Sequence, residues 1–162
     1  MGRFAIEVEL TNNEDLDKAK CGHITHEQVR RARVRGVVDS GATRLVIPEE
    51  IARQLGFEIS GTAKGKYADG RTAQRAIARN ISLSYAGRES VFSAIVEPAR
   101  ESAIIGAIVM EELDFLIDCE QQKLVPRDPK QIVSEVESAK SEISARIQSR
   151  FSGVLPISVD VH

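Results

Sequence analysis

Apolar and polar residues alternate along the first part of the chain. The apolar residues of this stretch lie at every second position: Phe4, Ile6, Val8 and Leu10. A period of two residues predicts a strand with one buried face. The polar stretch Thr11–Lys20 predicts a loop, and a turn over Cys21–Glu27 leads to a second predicted strand over Val29–Val38.

Positive charge is concentrated in the second predicted strand. The basic residues of this strand are Arg30, Arg31, Arg33 and Arg35. Such a run is typical of an exposed strand face or of a sheet edge that is protected by charge. A nucleic-acid surface would add aromatic residues for stacking, and the strand has none. We therefore expect no nucleic-acid partner.

The middle of the chain combines an apolar run with helix and turn signals. Leu45–Ile47 is apolar, and Pro48–Leu55 is predicted as a short helix because a proline and two glutamates begin it and Gly56 ends it. Thr62–Pro98 predicts two hairpins. The first has an Asp-Gly turn within Tyr67–Arg71 and arms of polar or small residues, so we expect it to project from the rest of the fold.

A second apolar maximum lies at Ala103–Leu113, where we expect a buried strand, a glycine and a helix. Asp114–Val125 predicts a closing hairpin. Apolar residues then recur every three or four positions over Pro129–Arg150, which predicts a helix that packs on its own domain or pairs with a partner helix. The tail Phe151–His162 alternates like an edge strand and could join an intersubunit sheet or occupy a cleft.

A carboxylate lies at the end of the buried stretch that contains Val37 and Val38. Asp39 is followed at once by Ser40, Gly41 and two further small residues. A charged side chain at the mouth of a core is costly unless it is used, and the glycine lets another segment approach it. These residues are typical of a catalytic loop, but an Asx turn that closes an ordinary strand fits them equally well.

Composition restricts the class of protein. The chain has 162 residues and a net charge of −2, which fits one domain with an appendage and gives no general attraction to nucleic acid or acidic membranes. It has no apolar run of membrane-spanning length and no signal-peptide pattern at its start, so we expect a soluble, cytoplasmic protein without a membrane partner. The two cysteines, Cys21 and Cys119, are expected to be reduced.

Cys21, His23 and His26 lie close enough in sequence to suggest a metal site. Their spacing matches no structural zinc pattern, and a turn before a strand explains them more simply. We expect no metal and no other cofactor.

The order of these features resembles the retropepsin-like aspartic proteases, especially their bacterial single-domain relatives. The quoted features are the Asp39–Thr43 loop, the short helix, the Ala-Asp-Gly hairpin turn and Ile104-Ile105-Gly106 before a helix. The resemblance extends from Phe4 to Pro126. It implies an all-β, mainly antiparallel fold: a closed retropepsin-like β-barrel with a flap hairpin and short helices. A domain of residues 1–126 would then precede a helical extension, 127–150, and the tail, 151–162.

The resemblance also implies roles for individual residues. Asp39 would be catalytic, and four residues would support its loop: Ser40, Gly41, Ala42 and Thr43. The flap would contain Tyr67, Ala68, Asp69 and Gly70. Three residues would pack on the catalytic loop: Ile104, Ile105 and Gly106. The chain departs from the family pattern at Ser40, where Thr is commoner, and at Ala107, where many relatives have a polar or charged residue.

The chain contains one Asp-Ser-Gly loop, whereas such proteases need two, so the resemblance implies a homodimer. The chemistry agrees, because one carboxylate cannot act as base and acid on the same water at once. We therefore expect a homodimeric aspartic endopeptidase that acts on peptide or protein substrates. The alternative is a catalytically silent dimeric module that binds peptides or serves as a scaffold.

Overall fold

The computed structural model of the protein describes residues 3–137. Within this range, the strands are β1 (Phe4–Asn12), β2 (Arg31–Val38), β3 (Leu45–Pro48), β4 (Glu58–Lys66), β5 (Thr72–Tyr85), β6 (Arg88–Glu97), β7 (Ala103–Ile105), β8 (Phe115–Asp118) and β9 (Lys123–Pro126). The α-helices are α1 (Asn13–Lys20), α2 (Glu49–Gln54) and α3 (Ala107–Leu113). None of the helices in this range is both long and apolar enough to cross a membrane.

Six strands close into a barrel. Their order is β1-β2-β7-β3-β6-β5, and β5 returns to pair with β1 through Leu10 and Leu83. The pairs β2–β7 and β3–β6 are parallel, whereas the remaining pairs of the sheet are antiparallel. The predicted closed and mainly antiparallel barrel is therefore confirmed.

The core of the barrel is aliphatic. Alternate residues of the strands point inward, and the fully buried ones include Val8, Leu10, Leu45, Ile47, Ile81, Leu83 and Ile105. A period of two along several neighbouring strands directs these side chains to one interior. The core thus forms a rigid support for the loops at the strand ends.

The hairpin of β4 and β5 extends beyond the barrel. Between Thr62 and Ala76 the two strands pair with each other, and β5 begins to pair with β6 only at Ile77. We call residues 62–76 the outer hairpin. The amide of Gly70 donates to the carbonyl of Tyr67 at 3.0 Å and closes the turn. A positive φ of 88° at Gly70 is a conformation that glycine adopts without strain. The predicted projecting hairpin is therefore present.

The prediction of a loop over Thr11–Lys20 was wrong. Strand β1 continues to Asn12, whose side chain accepts a hydrogen bond at 3.1 Å from the amide of Asp15 and caps α1. The helix has acidic residues in its first turn and lysines in its last turn, which suits the helix dipole. In α1 only Asp15 and Ala19 are buried, so no apolar stripe indicated a helix.

An ion pair between the buried Asp15 and the half-exposed Arg30 joins α1 to the residue before β2. Asp15 accepts hydrogen bonds from Nε, Nη2 and the backbone amide of Arg30, at 2.8, 3.1 and 3.0 Å. These bonds, chiefly the one to the Arg30 side chain, lower the pKa of Asp15 although burial opposes the shift. Arg30 is exposed like the other arginines of this stretch, but the sequence did not predict its ion pair with the buried Asp15.

The other arginines of β2 do lie on an exposed face. Arg31, Arg33 and Arg35 alternate with buried or half-buried residues, as the period of the strand requires. The alternative of a sheet edge was wrong, because β2 lies between β1 and β7.

The predicted hairpin around residues 120–122 is present as β8 and β9, which form a two-stranded sheet separate from the barrel sheet. Arg88 of β6 anchors this hairpin by donating to the carbonyls of Leu113 at 2.8 Å, Asp114 at 3.0 Å, Gln131 at 3.1 Å and Asp128. Residues 127–137 contain no helix, so the predicted helix does not begin at Pro129. The rest of that segment and the tail, 151–162, lie outside the described residues.

We predict that Asp15→Asn lowers the free energy of unfolding by about 1–3 kcal/mol at pH 7, because Arg30 loses a charged, buried partner. Asp17→Asn on the exposed side of the same helix is the control and should change it by less than about 0.5 kcal/mol. Urea denaturation measures both. Equal effects of the two variants would contradict the structural role of the pair.

The same pair predicts a dependence on pH. The folded pKa of Asp15 lies below its ordinary value of 3.8, so its contribution is complete above that value and is lost as the pH falls through the folded pKa. The stability difference between wild type and Asp15→Asn should therefore shrink below about pH 4. A difference that stays constant down to about pH 2 would contradict the assignment.

Candidate active site

The predicted catalytic carboxylate lies directly after β2. The amide of Asp39 donates to the carbonyl of Ile105 at 3.1 Å, which continues the pairing of β2 with β7. Oδ1 of Asp39 accepts a hydrogen bond from the amide of Gly41 at 2.9 Å. Oδ2 lies 3.4 Å from a guanidinium nitrogen of Arg3, and the Asp39 side chain is 20% exposed. The backbone therefore fixes one carboxylate oxygen, and the side chain remains partly open to solvent.

The residues after Asp39 form a tight and exposed loop. The amide of Ala42 donates to the carbonyl of Asp39 at 3.2 Å. A Cβ on Gly41 would lie 3.2 Å from Oδ1 of Asp39, which is closer than most real Cβ contacts. Ser40, Gly41 and Thr43 are exposed, and Ala42 is half-buried. The small residues thus let the backbone lie against the carboxylate while the loop faces outward.

The loop rests on the N-terminus of α3. The amides of Ala107 and Ile108 donate to the carbonyls of Ala42 and Thr43 at 2.8 and 2.9 Å. A Cβ on Gly106 would lie 2.4 Å from the carbonyl oxygen of Arg44 and 2.8 Å from that of Ala42. Backbone cannot yield to such a contact as a flexible side chain can. Gly106 therefore allows the approach of two backbone segments.

The two isoleucines before Gly106 connect this contact to the sheet. Ile104 lies opposite Val37 and Val46, and Ile105 is 1% exposed in the core. The residues that the resemblance grouped together, Ile104, Ile105 and Gly106, are thus adjacent to the Asp39 loop.

A family model described as aspartyl protease matches residues 15–109, which is more than half of the chain. The chain belongs to the aspartyl protease family. The matched segment contains the Asp39 loop, the outer hairpin and Gly106. The sequence-based recognition of a retropepsin-like aspartic protease is confirmed, and the family supports a protease-like function.

The protein is similar in structure to several solved proteins, among them EIAV protease complexed with the inhibitor HBY-793. The two chains are 14% identical, and the TM-score is 0.46 over 69% of this chain and 88% of that chain. A search of curated proteins found no match.

The turn of the outer hairpin contains the second group of predicted site residues. Ala68, Asp69 and Gly70 are exposed, and Tyr67 is half-buried. Oδ1 of Asp69 accepts from the amide of Arg71 at 3.0 Å, and its Oδ2 accepts from Nε of Arg71 at 2.9 Å. Asp69 therefore stabilises its own turn.

Sequence reasoning missed two side chains that contact Tyr67. The hydroxyl of Tyr67 donates to Oε1 of Glu97 at 2.6 Å, and Nε of Arg75 donates to the same hydroxyl at 2.8 Å. The bond to Glu97, followed by burial, raises the pKa of Tyr67 against the opposing effect of Arg75. One feature of the sequence could have indicated this contact. Arg75 is a large cation on a face of the hairpin whose neighbouring strand positions hold alanine and glycine.

Sequence reasoning also missed Arg3 as a partner of Asp39. Because Phe4 lies opposite Val38 in the antiparallel pair β1–β2, Arg3 lies opposite Asp39. The segment between the two strands, residues 13–30, is too long to act as a hairpin turn that would set this register.

Cys21 and Cys119 are exposed, and residues 3–137 contain no group of three or more His, Cys, Asp or Glu that could hold a metal ion.

We predict that Gly106→Ala lowers the free energy of unfolding by at least about 2 kcal/mol, because the new Cβ meets backbone of residues 42–44. Gly65→Ala is the matched control, since its Cβ would meet no atom nearer than 3.5 Å. Thermal and urea unfolding of both variants measure the difference. If the two substitutions cost the same, the close approach at Gly106 is not what stabilises the loop.

Proposed function

We propose that the protein is a homodimeric aspartic endopeptidase in which two Asp39 carboxylates, one from each chain, activate the water that cleaves a peptide bond. The observation that supports this most strongly is the setting of Asp39. Its backbone is held by Ile105, one carboxylate oxygen is held by the amide of Gly41, and its side chain is partly exposed. Membership of the aspartyl protease family agrees with this assignment.

The proposal needs a second copy of the chain for a chemical reason. Water must lose a proton while the carbonyl oxygen gains one, and a single carboxylate cannot do both in one step. Two carboxylates at hydrogen-bonding distance share one proton, because both cannot be ionised there. The pair then titrates as a unit. Gly41 and Thr43 are exposed, so this side of the loop can lie against the same loop of a second copy.

The proposed reaction balances without a cofactor or a covalent intermediate. The unprotonated Asp39 accepts a proton from water, and the water oxygen bonds to the peptide carbonyl carbon. The protonated Asp39 of the other copy donates its proton to the carbonyl oxygen. The Asp39 that accepted the water proton then donates it to the peptide nitrogen, and a hydroxyl of the tetrahedral intermediate returns one proton to the other Asp39 as the carbon–nitrogen bond breaks. A carboxylic acid and an amine leave, and the two carboxylates again share one proton.

The ion pair of Asp39 with Arg3 must open before a water can lie between two carboxylates. The Arg3 side chain is 68% exposed, so the pair is well screened by solvent. Exposed pairs of this kind contribute about 0–1 kcal/mol. Its opening is therefore a small cost in the proposed mechanism.

The outer hairpin is suited to the role of a flap. Strand β4 pairs with β5 along one edge, and among the described residues its other edge has no strand partner. Its free amides and carbonyls can pair with an extended peptide, and closure of a glycine-tipped hairpin would exclude water. We infer that peptide substrates bind between this edge and the Asp39 loops.

We predict that Asp39→Asn lowers the peptidase rate by at least about 1,000-fold, because the amide can neither accept nor share the proton. The dimer should persist, since the change is nearly isosteric. A digest of a peptide library at acidic and neutral pH, with the mass of the particle measured by light scattering, tests both statements. Asp17→Asn is the control and should cleave like wild type.

A wild-type dimer that cleaves no peptide under these conditions would contradict the proposal and favour the catalytically silent peptide-binding module. An active Asp39→Asn variant would exclude Asp39 as the reacting group.

A further inference from the structure

We propose that Tyr67, Arg75 and Glu97 form a latch that holds the outer hairpin against strand β6 and sets how tightly it closes on a bound peptide. The effect on peptide binding rests on the proposed endopeptidase function, whereas the mechanical role of the latch does not. The three residues act as positioning residues and take no part in the proton transfers.

The latch joins three separate parts of the fold. Tyr67 directly follows β4, Arg75 belongs to β5, and Glu97 is the last residue of β6. Arg75 Nε donates to the Tyr67 hydroxyl at 2.8 Å and lies 3.2 Å from Oε1 of Glu97, to which Tyr67 donates at 2.6 Å. Each member thus contacts both of the others, so removal of one leaves the remaining two with an incomplete network.

Because these side chains are largely buried, their contacts stabilise the fold more than ordinary surface ion pairs do. Arg75 and Glu97 are 25% and 17% exposed, whereas the ion pair of Arg33 with Glu7 is 76% and 65% exposed. Partial exclusion of water strengthens hydrogen bonds between charged and neutral groups. We therefore expect the latch to stabilise the position of the outer hairpin measurably, whereas the exposed Arg33–Glu7 pair should add little stability.

Two cations also pack on the ring of Tyr67. The guanidinium carbons of Arg71 and Arg75 lie 5.2 and 5.7 Å from its centroid, within the range of cation–π attraction. The hydroxyl of Tyr67 lies near Gly65 of β4, where an added Cβ would be 3.7 Å from the hydroxyl oxygen, an ordinary contact distance.

The position of the latch explains why it would control the hairpin. Backbone pairing between β5 and β6 begins at Ile77, so the outer hairpin depends on side chains for its contact with the barrel. Glu97 ends β6, and the chain after it leads through residues 98–102 into β7. The carbonyl of Ile105 in β7 accepts the hydrogen bond from the amide of Asp39. The latch therefore fastens the hairpin to the segment that continues into the support of the candidate catalytic loop.

Two conservative variants test the latch in the full-length chain. Tyr67→Phe removes the hydroxyl, and Glu97→Gln removes the charged acceptor, while both keep the shape of the side chain. Hydrogen exchange of the amides of residues 62–76 should become about 3- to 10-fold faster in each variant, and the double variant should add little. The matched controls are Tyr85→Phe and Glu89→Gln, which should leave exchange in the outer hairpin unchanged.

Peptidase kinetics provide the second readout. A more mobile outer hairpin should bind substrate more weakly. KM should therefore rise about 3- to 10-fold in both variants, while kcat changes by less than about 2-fold. Faster exchange with unchanged KM would overturn the role in substrate binding. Unchanged exchange would overturn the latch altogether, whatever the kinetics.

The exchange measurement separates this proposal from the proposed function. If wild type cleaves no peptide, the endopeptidase assignment fails, yet faster exchange in both variants would still support the latch and unchanged exchange would still overturn it.

Discussion

The contact of Gly106 with the backbone of residues 42–44 is the constraint on which the site depends. Two hydrogen bonds, from Ala107 and Ile108 to the carbonyls of the loop, are possible only because position 106 has no side chain. The same segment continues β7, which is paired in parallel with β2. One close approach of two backbones thus fixes the loop of Asp39 relative to the core. Without it, the loop after Asp39 would lose its hydrogen bonds to the start of α3.

This construction also explains why one chain is not sufficient for the proposed chemistry. The barrel holds the loop rigidly and presents it outward, so Asp39 is oriented by its own backbone but faces solvent. In the proposed site the second carboxylate comes from the same loop of another copy, since the chain has one Asp-Ser-Gly sequence. The closed barrel orients the group, and symmetry would complete the site.

The features predicted correctly from sequence were those encoded locally. Period-two patterns located several of the strands, and the Asp-Gly pair located the outer turn. The place of Gly106 beside the Asp39 loop was expected only from the family resemblance. Helix α1 was missed because its stability comes from a polar cap and from the ion pair of Asp15 with Arg30, neither of which produces an apolar stripe. Contacts set by strand register, such as those of Arg3 and Glu97, could not be predicted, since register depends on the whole sheet.

The most direct test of the central claim uses mixed dimers. Wild-type and Asp39→Asn chains are unfolded together, refolded at known ratios, and assayed for peptide cleavage after the dimer mass is verified. If one site needs two Asp39 carboxylates, activity falls as the square of the wild-type fraction, to about a quarter in an equal mixture. A linear fall, to about half, would mean that each chain works alone and would contradict the account.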